Sequence, residues 1–406
     1  MSHLFHSRPV IIAQLGARDH YSFVRALHQK ACCEALITDF WWDSPVVFPG
    51  DTGRRISGRF HADLDSVEVM HSNLATVAFE LQHRMMGVDR RQTILERNRF
   101  FQKRALASLQ AISNPSVERC LFAYSYAARD IFRWAKSQGW KTVLGQIDPG
   151  PEEGRMTEQL RQSRPEFKES MGVASEEYYS GWSEELELAD FIVVNSEWSA
   201  KALRKEGVQE DRLRVIPIPY EARGGAVPHN APAVFSVERP LRVLFLGQVN
   251  LRKGIVELLE AMELLEHDPV ELDVVGPVQV HIPERFRGLS SVRFHGSVPR
   301  SMIGSYFGQA DLFVFPTHSD GFGLTQLEAM AAGLPVLSSR NCAAVVKDGL
   351  NGMLLDKVSG VSIAKSIHEV LQSPSLLTQW SRGCGVPTFC RMDNVAGELT
   401  RHIDAL

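Results

Sequence analysis

The stretch SDGFGLTQLEAMAAGLPVL, Ser319–Leu337, decides the fold class of this chain. The segment FVFP (Phe313–Pro316) precedes it, and its apolar, β-prone residues followed by proline predict a buried parallel strand. Ser319–Gly323 then form a loop, LTQLEAMAA favours a helix, and Gly333 stands where helices commonly end. In open α/β sheets ligands bind at such strand-to-helix crevices, and the free amides of a helix start attract anions.

The same alternation of apolar strands and helical segments runs through most of the chain. PVIIAQLG precedes HYSFVRALHQKA in the first half, and after Pro228 the cycle restarts with LRVLFLG and GIVELLEAMELLE. Such alternation predicts βαβ units and a parallel sheet in each half. We therefore predict an N-terminal domain over 1–227, a linker over 228–240, a C-terminal domain over 241–382, and a segment 383–406 that crosses back.

The composition excludes several classes of protein. A chain of 406 residues is too long for one ordinary core, and its net charge of −4 gives no electrostatic basis for a nucleic-acid partner. No apolar run approaches the ~20 residues that span a bilayer, and the N-terminal apolar stretch is too short for a signal peptide. The six cysteines show no CxxC spacing. These features predict a cytoplasmic protein with reduced thiols.

Residues 83–105 are rich in Arg and Lys, with seven basic residues against Asp89 and Glu96. A solvated helix face is the simpler explanation and the favoured one. The alternative is a basic, aromatic-bearing surface that binds an anionic acceptor or makes a weak peripheral contact with the inner face of a membrane.

Two cations precede a predicted helix in LFLGQVNLRKG, Leu244–Gly254. Arg252 and Lys253 would combine their charge with the helix dipole and free amides, which suits a diphosphate. The alternative is that both are solvated loop charges. That alternative is weakened because Ser319–Gly323 repeats the same strand–loop–helix construction.

Two carboxylates, eight positions apart, belong to this second construction. Asp320 lies in the loop and Glu328 about one turn into the helix. A carboxylate at Glu328 would accept hydrogen bonds from a vicinal diol such as a ribose, and Asp320 would accept them from sugar hydroxyls. The alternatives are a surface helical residue at Glu328 and an N-cap or turn residue at Asp320.

Taken together, these segments resemble the retaining glycosyltransferases of family 4, which have the GT-B fold. The motifs VVG, VRFHGSVP, ADLFVFP, SDGFGLTQLEAMAAGLPVL and KDGLNGMLL occur in the family's order between 240 and 356. EELELADFIVVNSEWSAKALRKEG and LRVIPIP, within Glu184–Pro219, extend the resemblance into the first half. The resemblance implies an α/β protein of two doubly wound, Rossmann-like parallel-sheet domains that face each other across a cleft.

The resemblance also implies an activity, namely transfer of a sugar from a nucleotide-diphosphate sugar to a hydroxyl acceptor with retention of anomeric configuration. On that basis Lys253 and Arg252 face the diphosphate, and Glu328 holds the nucleotide ribose. Asp320 contacts the sugar and phosphates together with the backbone of Gly321, Phe322, Gly323 and Leu324. Four further positions would surround the donor: Gly16, over the diphosphate from the other domain, and Gly276, Pro277 and Val298 beside the base.

Three positions depart from the family pattern. Asp320 stands where the family has Glu, Gln248 where many members have Arg, and Gln146 where members often have a histidine beside the anomeric carbon. His20 is the substitute catalytic candidate, with a polar residue at a helix start as the alternative. Asp148 would orient the acceptor, unless it is only a turn residue before a proline.

No metal or other cofactor is expected. Lys253 and Arg252 would stabilise the leaving diphosphate in place of a divalent cation. One DxD triplet occurs, at Asp63–Asp65, but such short matches arise by chance, and no His/Cys cluster has zinc spacing.

Other functions remain open on the same fold. A nucleotide-sugar epimerase or a sugar phosphorylase is one alternative, since a fold does not fix a function. A catalytically degenerate nucleotide-sugar-binding subunit is another, favoured by Gln146 and Gln248. A nicotinamide-dependent dehydrogenase is disfavoured because no strand is followed by GxGxxG.

Overall fold

The computed structural model describes residues 8–43, 56, 58–114, 116–168, 176–222 and 230–406. Two parallel sheets organise these residues, one in each half of the chain. The N-terminal sheet consists of β1 (Val10–Gln14), β2 (Cys33–Thr38), β3 (Glu68–Met70), β4 (Cys120–Tyr124), β5 (Lys141–Gln146), β6 (Phe191–Val194) and β7 (Leu213–Val215). The C-terminal sheet consists of β8 (Leu241–Leu246), β9 (Val270–Val275), β10 (Val292–Gly296), β11 (Leu312–Phe315), β12 (Val336–Ser338) and β13 (Gly352–Leu354).

Helices connect the strands and cover the sheets. Those of the first half are α1 (Ser22–Gln29), α2 (Asn73–Met86), α3 (Arg90–Ala111), α4 (Arg129–Ser137), α5 (Pro151–Ser163), α6 (Glu176–Leu188) and α7 (Glu197–Lys205). Those of the second half are α8 (Ile255–Leu264), α9 (Glu284–Arg287), α10 (Arg300–Gln309), α11 (Leu324–Ala331), α12 (Gly360–Gln372), α13 (Ser375–Gly383) and α14 (Met392–Asp404).

The strand order is that of two doubly wound domains. It reads β3-β2-β1-β4-β5-β6-β7 in the first sheet and β10-β9-β8-β11-β12-β13 in the second. All strands are parallel, but the order in which successive strands are added changes direction between β1 and β4 and between β8 and β11. This change opens a crevice at the carboxyl ends of those strands. The predicted fold class, two Rossmann-like parallel-sheet domains, is confirmed.

Burial explains why the central strands read as unbroken apolar runs. Every residue of Val10–Gln14 and of Leu312–Phe315 is buried, because helices cover both faces of each sheet. In the C-terminal domain α8 packs beside α12, and their apolar faces close the core over β8 and β9. The rigid sheets therefore fix the positions of the loops at their carboxyl ends.

The last segment of the chain lies against the first domain. Val395, Leu399 and Ile403 of α14 are buried in the cluster that contains Val24 and Leu27 of α1. The residue ahead of α14 also pairs with the N-terminal half, since Arg391 forms an isolated β-bridge with Tyr220, whose amide donates to the Cys390 carbonyl at 2.7 Å.

The predicted linker is only partly covered by the structure. Residues 228 and 229 lie outside the described residues. Farther along, Phe235 is buried in the C-terminal core, and Arg239 forms an ion pair with the buried Asp311 at 2.6 Å. The described part of the linker is thus attached to the C-terminal domain.

Helices α2 and α3 form a hairpin on the outside of the N-terminal domain. The rings of Phe79 and Phe100 stack with their centroids 4.8 Å apart, and Arg97 donates to Glu80 at 2.8 Å. Neither helix, nor any other helix in the described ranges, is long and apolar enough to cross a membrane.

Candidate functional site

A cavity of about 310 Å³ lies between the two domains, where the crevices of both sheets meet. We call it the cleft cavity. Its C-terminal wall is formed by the two loops that the sequence singled out, which contribute Arg252, Lys253 and Asp320. The first of these loops, which follows β8, also contributes Gly247 and Gln248.

Close backbone packing brings these two loops together. Leu251–Lys253 form a short 3-10 turn after β8, capped by the Asn250 side chain, whose oxygen accepts from the Lys253 amide at 3.1 Å. Gly254 follows with φ +74°, and a Cβ at this position would lie 2.0 Å from the Pro316 carbonyl oxygen. Only glycine fits, so the start of α8 is pressed against the end of β11.

Opposite charges pair across the two loops. The Lys253 ammonium donates to the Asp320 carboxylate and lies 5.1 Å from the centre of the Phe315 ring. Burial raises the pKa of Asp320, but the attraction of Lys253 and Arg252 outweighs it and holds that pKa below its ordinary value. Arg252 in turn donates to the Ser319 carbonyl at 2.7 Å. The two cations are thereby held next to the N-terminal ends of α8 and α11.

The N-terminal wall of the cleft cavity contains residues that the sequence did not single out. They include Arg18, Asp19, Tyr124 and Asn195. Asp19, His20 and Tyr21 have φ values of 48°, 53° and 57°, a run of left-handed residues that turns the chain sharply after β1. The Arg18 guanidinium lies 5.6 Å from the centre of the Tyr124 ring, and burial raises the pKa of Asp19.

Glu153 of α5 is another residue that the sequence did not reveal. It reaches the C-terminal loops, where it accepts a hydrogen bond from Ser319 at 2.7 Å and lies 3.5 Å from Arg252. Burial raises the pKa of Glu153 to about 7, although Arg252 opposes the shift. The one sequence feature that could have indicated Glu153 is its position in the first turn of the helix that follows β5.

The loop between β11 and α11 is clamped to the N-terminal domain. Ser196, at the start of α7, donates to the Gly321 carbonyl at 2.6 Å, and the Trp198 indole donates to the Ser319 hydroxyl at 3.0 Å. A Cβ on Gly321 would lie 2.7 Å from the Ile147 carbonyl oxygen. The two backbones meet at this point with no room for a side chain.

Gln146 and Asp148 lie behind the cleft cavity and do not line it. Gln146 is 1% exposed, accepts from the Trp182 indole at 2.8 Å and donates to the Asp148 carbonyl at 3.0 Å. The Asp148 carboxylate accepts from the Tyr126 hydroxyl at 2.7 Å and from the Gly150 amide at 2.9 Å. Both side chains hold the turn between β5 and α5 in place.

His20 and Glu328 lie at one edge of the cleft, outside the lining of the cavity. The Arg300 guanidinium donates to Nε2 of His20 and lies 3.8 Å from the Glu328 carboxylate. Arg300 thus joins the turn after β1 to the helix that follows the Asp320 loop. Arg300 contacts both predicted residues, and neither of them lines the cleft cavity with Lys253.

Some of the remaining predicted positions line the cleft cavity, and the others lie outside its lining. Phe322, Gly323 and Leu324 line the cleft cavity with Asp320, whereas Gly321 makes the domain contact described above. Gly276 packs against the carbonyl of Gly247, and the Pro277 carbonyl accepts from the Val249 amide at 3.0 Å. Val298 is partly buried against the core. None of these three lines the cleft cavity, and Gly276 packs behind its lining residue Gly247.

A second cavity, of about 270 Å³, adjoins the first within the N-terminal domain. We call it the N-domain cavity. Arg18, Tyr124 and Ile147 line both cavities, and Gly16 lines this second one. Arg59 also lines it and donates to Asp39 at 2.8 Å. A molecule in the N-domain cavity would therefore approach a molecule in the cleft cavity across a shared wall.

The DxD triplet takes part in an ion pair. Asp63 accepts from the Arg25 guanidinium at 2.7 Å. Across the described ranges, no group of three or more His, Cys, Asp or Glu side chains is arranged to hold a metal ion.

Comparison with known proteins adds to this geometry. Residues 230–383 match the family model described as Glycosyl transferases group 1. A D-inositol 3-phosphate glycosyltransferase from Xylanimonas cellulosilytica is 32% identical over 190 residues, which are 41% of this chain and 45% of that protein. The chain thus spans about half the length of the curated relatives that it matches.

Solved structures resemble the chain over nearly its full length. Sucrose-phosphate synthase from Thermosynechococcus elongatus superimposes with a TM-score of 0.69 at 18% identity, covering 98% of this chain and 99% of the other. HepE from Anabaena, in complex with UDP, gives a TM-score of 0.61 at 14% identity and covers 98% and 100%. At these identities the likeness establishes the GT-B architecture.

Proposed function

We propose that this protein is a retaining glycosyltransferase that moves a sugar from a nucleotide-diphosphate sugar to a hydroxyl-bearing acceptor and needs no metal ion. One observation carries the proposal. Lys253 and Arg252 lie together at the wall of an interdomain cavity, beside two helix starts, within the residues that match the glycosyl transferases group 1 model. Cations and free amides in a confined cleft stabilise a leaving diphosphate.

The proposed reaction follows from where charge develops. The bond between the anomeric carbon and the diphosphate oxygen breaks, and its electron pair stays on the diphosphate. The acceptor oxygen forms a new bond to the same face of that carbon, and its proton passes to the departing phosphate. Lys253, now paired with Asp320, would turn toward the new negative charge, while Arg252 is already held at the loop by Ser319.

The donor belongs in the cleft cavity and the acceptor in the N-domain cavity. The UDP complex of HepE, a protein of the same architecture, supports a nucleoside diphosphate as the donor's leaving group. The acceptor would reach the donor across the wall shared by Arg18, Tyr124 and Ile147. Tyr126 and Tyr178, whose rings stack 4.3 Å apart, also line the N-domain cavity, and the aromatic surface that they leave exposed there can pack against a sugar or cyclitol ring.

Nucleotide binding tests the donor site first. Thermal unfolding of the pure protein is measured with UDP, GDP, ADP and their common sugar conjugates, because a ligand that binds the native state raises the unfolding temperature by mass action. We expect one base to stabilise the wild-type protein and Lys253→Ala to lose that shift. No shift with any nucleotide would overturn the proposal.

Product analysis then separates the enzyme classes. We expect slow hydrolysis of the donor in water, faster consumption with an acceptor, and no effect of EDTA. An epimerase would change the donor sugar without an acceptor, a phosphorylase would require free phosphate, and a binding subunit would leave the donor intact. Activity that is lost with EDTA and restored only by Mn²⁺ or Mg²⁺ would contradict metal independence.

A further inference from the structure

Helix α2 carries an apolar stripe that faces away from the protein. Leu74, Val77, Leu81 and Met85 are 89%, 45%, 54% and 87% exposed. Their spacing of three and four residues places all four on one face of the helix. A contiguous apolar face of this length on a soluble domain marks an interaction surface.

The opposite face of α2 is fixed to the protein. Phe79 stacks on Phe100 of α3, and Nε2 of His83 pairs with the Glu96 carboxylate at 2.5 Å. Since these contacts and the apolar stripe lie on opposite sides of the helix, α2 cannot turn its stripe inward without losing them. The contacts with α3 therefore hold the apolar stripe facing outward.

The hairpin that presents the stripe is strongly basic. Residues 73–111 contain seven Arg and Lys against three Asp and Glu, whereas the whole chain has a net charge of −4. Arg84 of α2 and Lys103 and Arg104 of α3 are exposed. An apolar face within a basic surface is the pattern of helices that lie in the interface of anionic membranes.

The charge argues for a lipid surface over a second copy of the chain. Two hairpins that met through their stripes would bring two basic surfaces together, and the repulsion would oppose the contact. An anionic bilayer attracts the same charges while it accepts the apolar side chains. We propose that α2 docks this protein peripherally on an anionic lipid surface, with its apolar stripe inserted at the level of the headgroups.

Docking at α2 would bring the N-domain cavity near the lipid. Ile94, Arg97 and Asn98 of α3 line that cavity, and Arg97 and Phe100 of the same helix contact α2. The cavity therefore lies one helix away from the proposed membrane face. The docking proposal does not depend on the enzymatic one, because binding to lipid is measured without substrate.

Vesicle sedimentation tests the docking. The pure full-length chain is mixed with phosphatidylcholine vesicles that contain either no or about 30% phosphatidylglycerol. We expect binding only to the anionic vesicles, and an about ten-fold loss of binding in Leu81→Glu/Met85→Glu. Leu264→Glu is the matched control, because Leu264 is also exposed, at 60%, but lies on α8 of the other domain.

The charge and the alternative partner are tested in parallel. Lys103→Glu/Arg104→Glu and a rise in salt to about 0.5 M should each weaken vesicle binding. Equal binding to neutral vesicles would overturn the electrostatic part of the proposal. Absence of vesicle binding, or a dimer in sedimentation velocity that Leu81→Glu/Met85→Glu dissociates, would overturn the lipid as the partner.

Discussion

The two walls of the cleft cavity are built in different ways. The C-terminal wall uses two copies of one construction, a strand, a short loop and a helix start, and both loops carry charged side chains. The N-terminal wall uses a left-handed turn at Asp19–Tyr21 and single residues from the ends of β4 and β6. The C-terminal wall thus repeats one regular construction, whereas the other wall combines an irregular turn with the ends of two strands.

This difference bears on how the function we propose is divided between the two walls. The Lys253 backbone and the Asp320 carboxylate are held by hydrogen bonds from their own loops, so only the Lys253 ammonium has to turn when a diphosphate enters the site we propose. Arg18 and Tyr124 are shared with a second cavity and would contact whatever fills it. We therefore expect substitutions in the C-terminal wall to act mainly on the rate and substitutions in the N-terminal wall on the choice of acceptor.

The largest expected effect comes from comparing Lys253→Ala with Arg18→Ala. If Lys253 stabilises the leaving diphosphate as we propose, its loss should lower kcat by about 10²–10³-fold, whereas Arg18→Ala should lower kcat by about ten-fold and change the acceptor KM. Steady-state kinetics measure both. A larger loss of kcat in Arg18→Ala would reverse the comparison.

Stability must be checked in the same proteins. Lys253→Ala leaves the Asp320 carboxylate, whose side chain is only 15% exposed, without its ammonium partner, which destabilises the fold by itself. Lys253→Ala/Asp320→Asn removes that charge and should recover the unfolding temperature without recovering kcat. Lys365→Ala, at an exposed lysine of α12, is the matched control.

The second prediction concerns Glu153, which crosses from the N-terminal domain to the C-terminal loops. Burial raises its pKa from 4.5 to about 7, so the folded state holds this proton more tightly than the unfolded chain. The contribution of Glu153 to the free energy of unfolding is therefore fully present below pH 4.5 and is lost as the pH rises to about 7.

Glu153→Gln isolates this contribution, because glutamine keeps the acceptor for Ser319 and does not ionise. Relative to the variant, the wild-type protein should lose about 3 kcal/mol of unfolding free energy across that window. Glu185, whose pKa burial also raises to about 7, is present in both proteins and cancels in the difference. A difference in unfolding free energy between the two proteins that stays constant with pH would show that Glu153 does not titrate in this way.

The smallest effect on the rate is expected for Gln146→Ala. The substitution leaves the buried Trp182 indole and the Asp148 turn without their partners, which should cost about 2 kcal/mol of unfolding free energy. Because Gln146 does not line the cleft cavity, kcat should change by less than about three-fold. Gln162→Ala, at an exposed glutamine of α5, should change neither quantity.

A different result for Gln146 would be informative. If kcat falls strongly while the unfolding free energy stays near that of the wild type, Gln146 takes part in the chemistry and replaces the family histidine. The N-terminal wall would then contribute to the rate as the C-terminal wall does.

The sequence predicted the fold because burial on both faces of a sheet leaves a direct signature. Unbroken apolar runs such as Leu312–Phe315, followed by amphipathic helices, identify the βαβ units without any tertiary information. The same regularity revealed Arg252, Lys253 and Asp320, since charged loops after such strands face the crevice of the sheet.

The rest of the cavity depends on contacts that no local pattern encodes. Three consecutive non-glycine residues with positive φ carry no sequence signal, so Arg18 and Asp19 were missed. Glu153 sits in the first turn of a helix like many acidic residues, and only the approach of the second domain buries it. His20 was chosen from its neighbourhood in the sequence, whereas the turn directs it to Arg300.

The packing of α14 against α1 affects the order in which the protein can fold during synthesis. Val395, Leu399 and Ile403 complete the core around α1, so the first domain to leave the ribosome lacks part of its interior until the second has been made. We therefore expect the nascent N-terminal half to expose apolar surface, and to complete its folding only after the C-terminal domain has been synthesised.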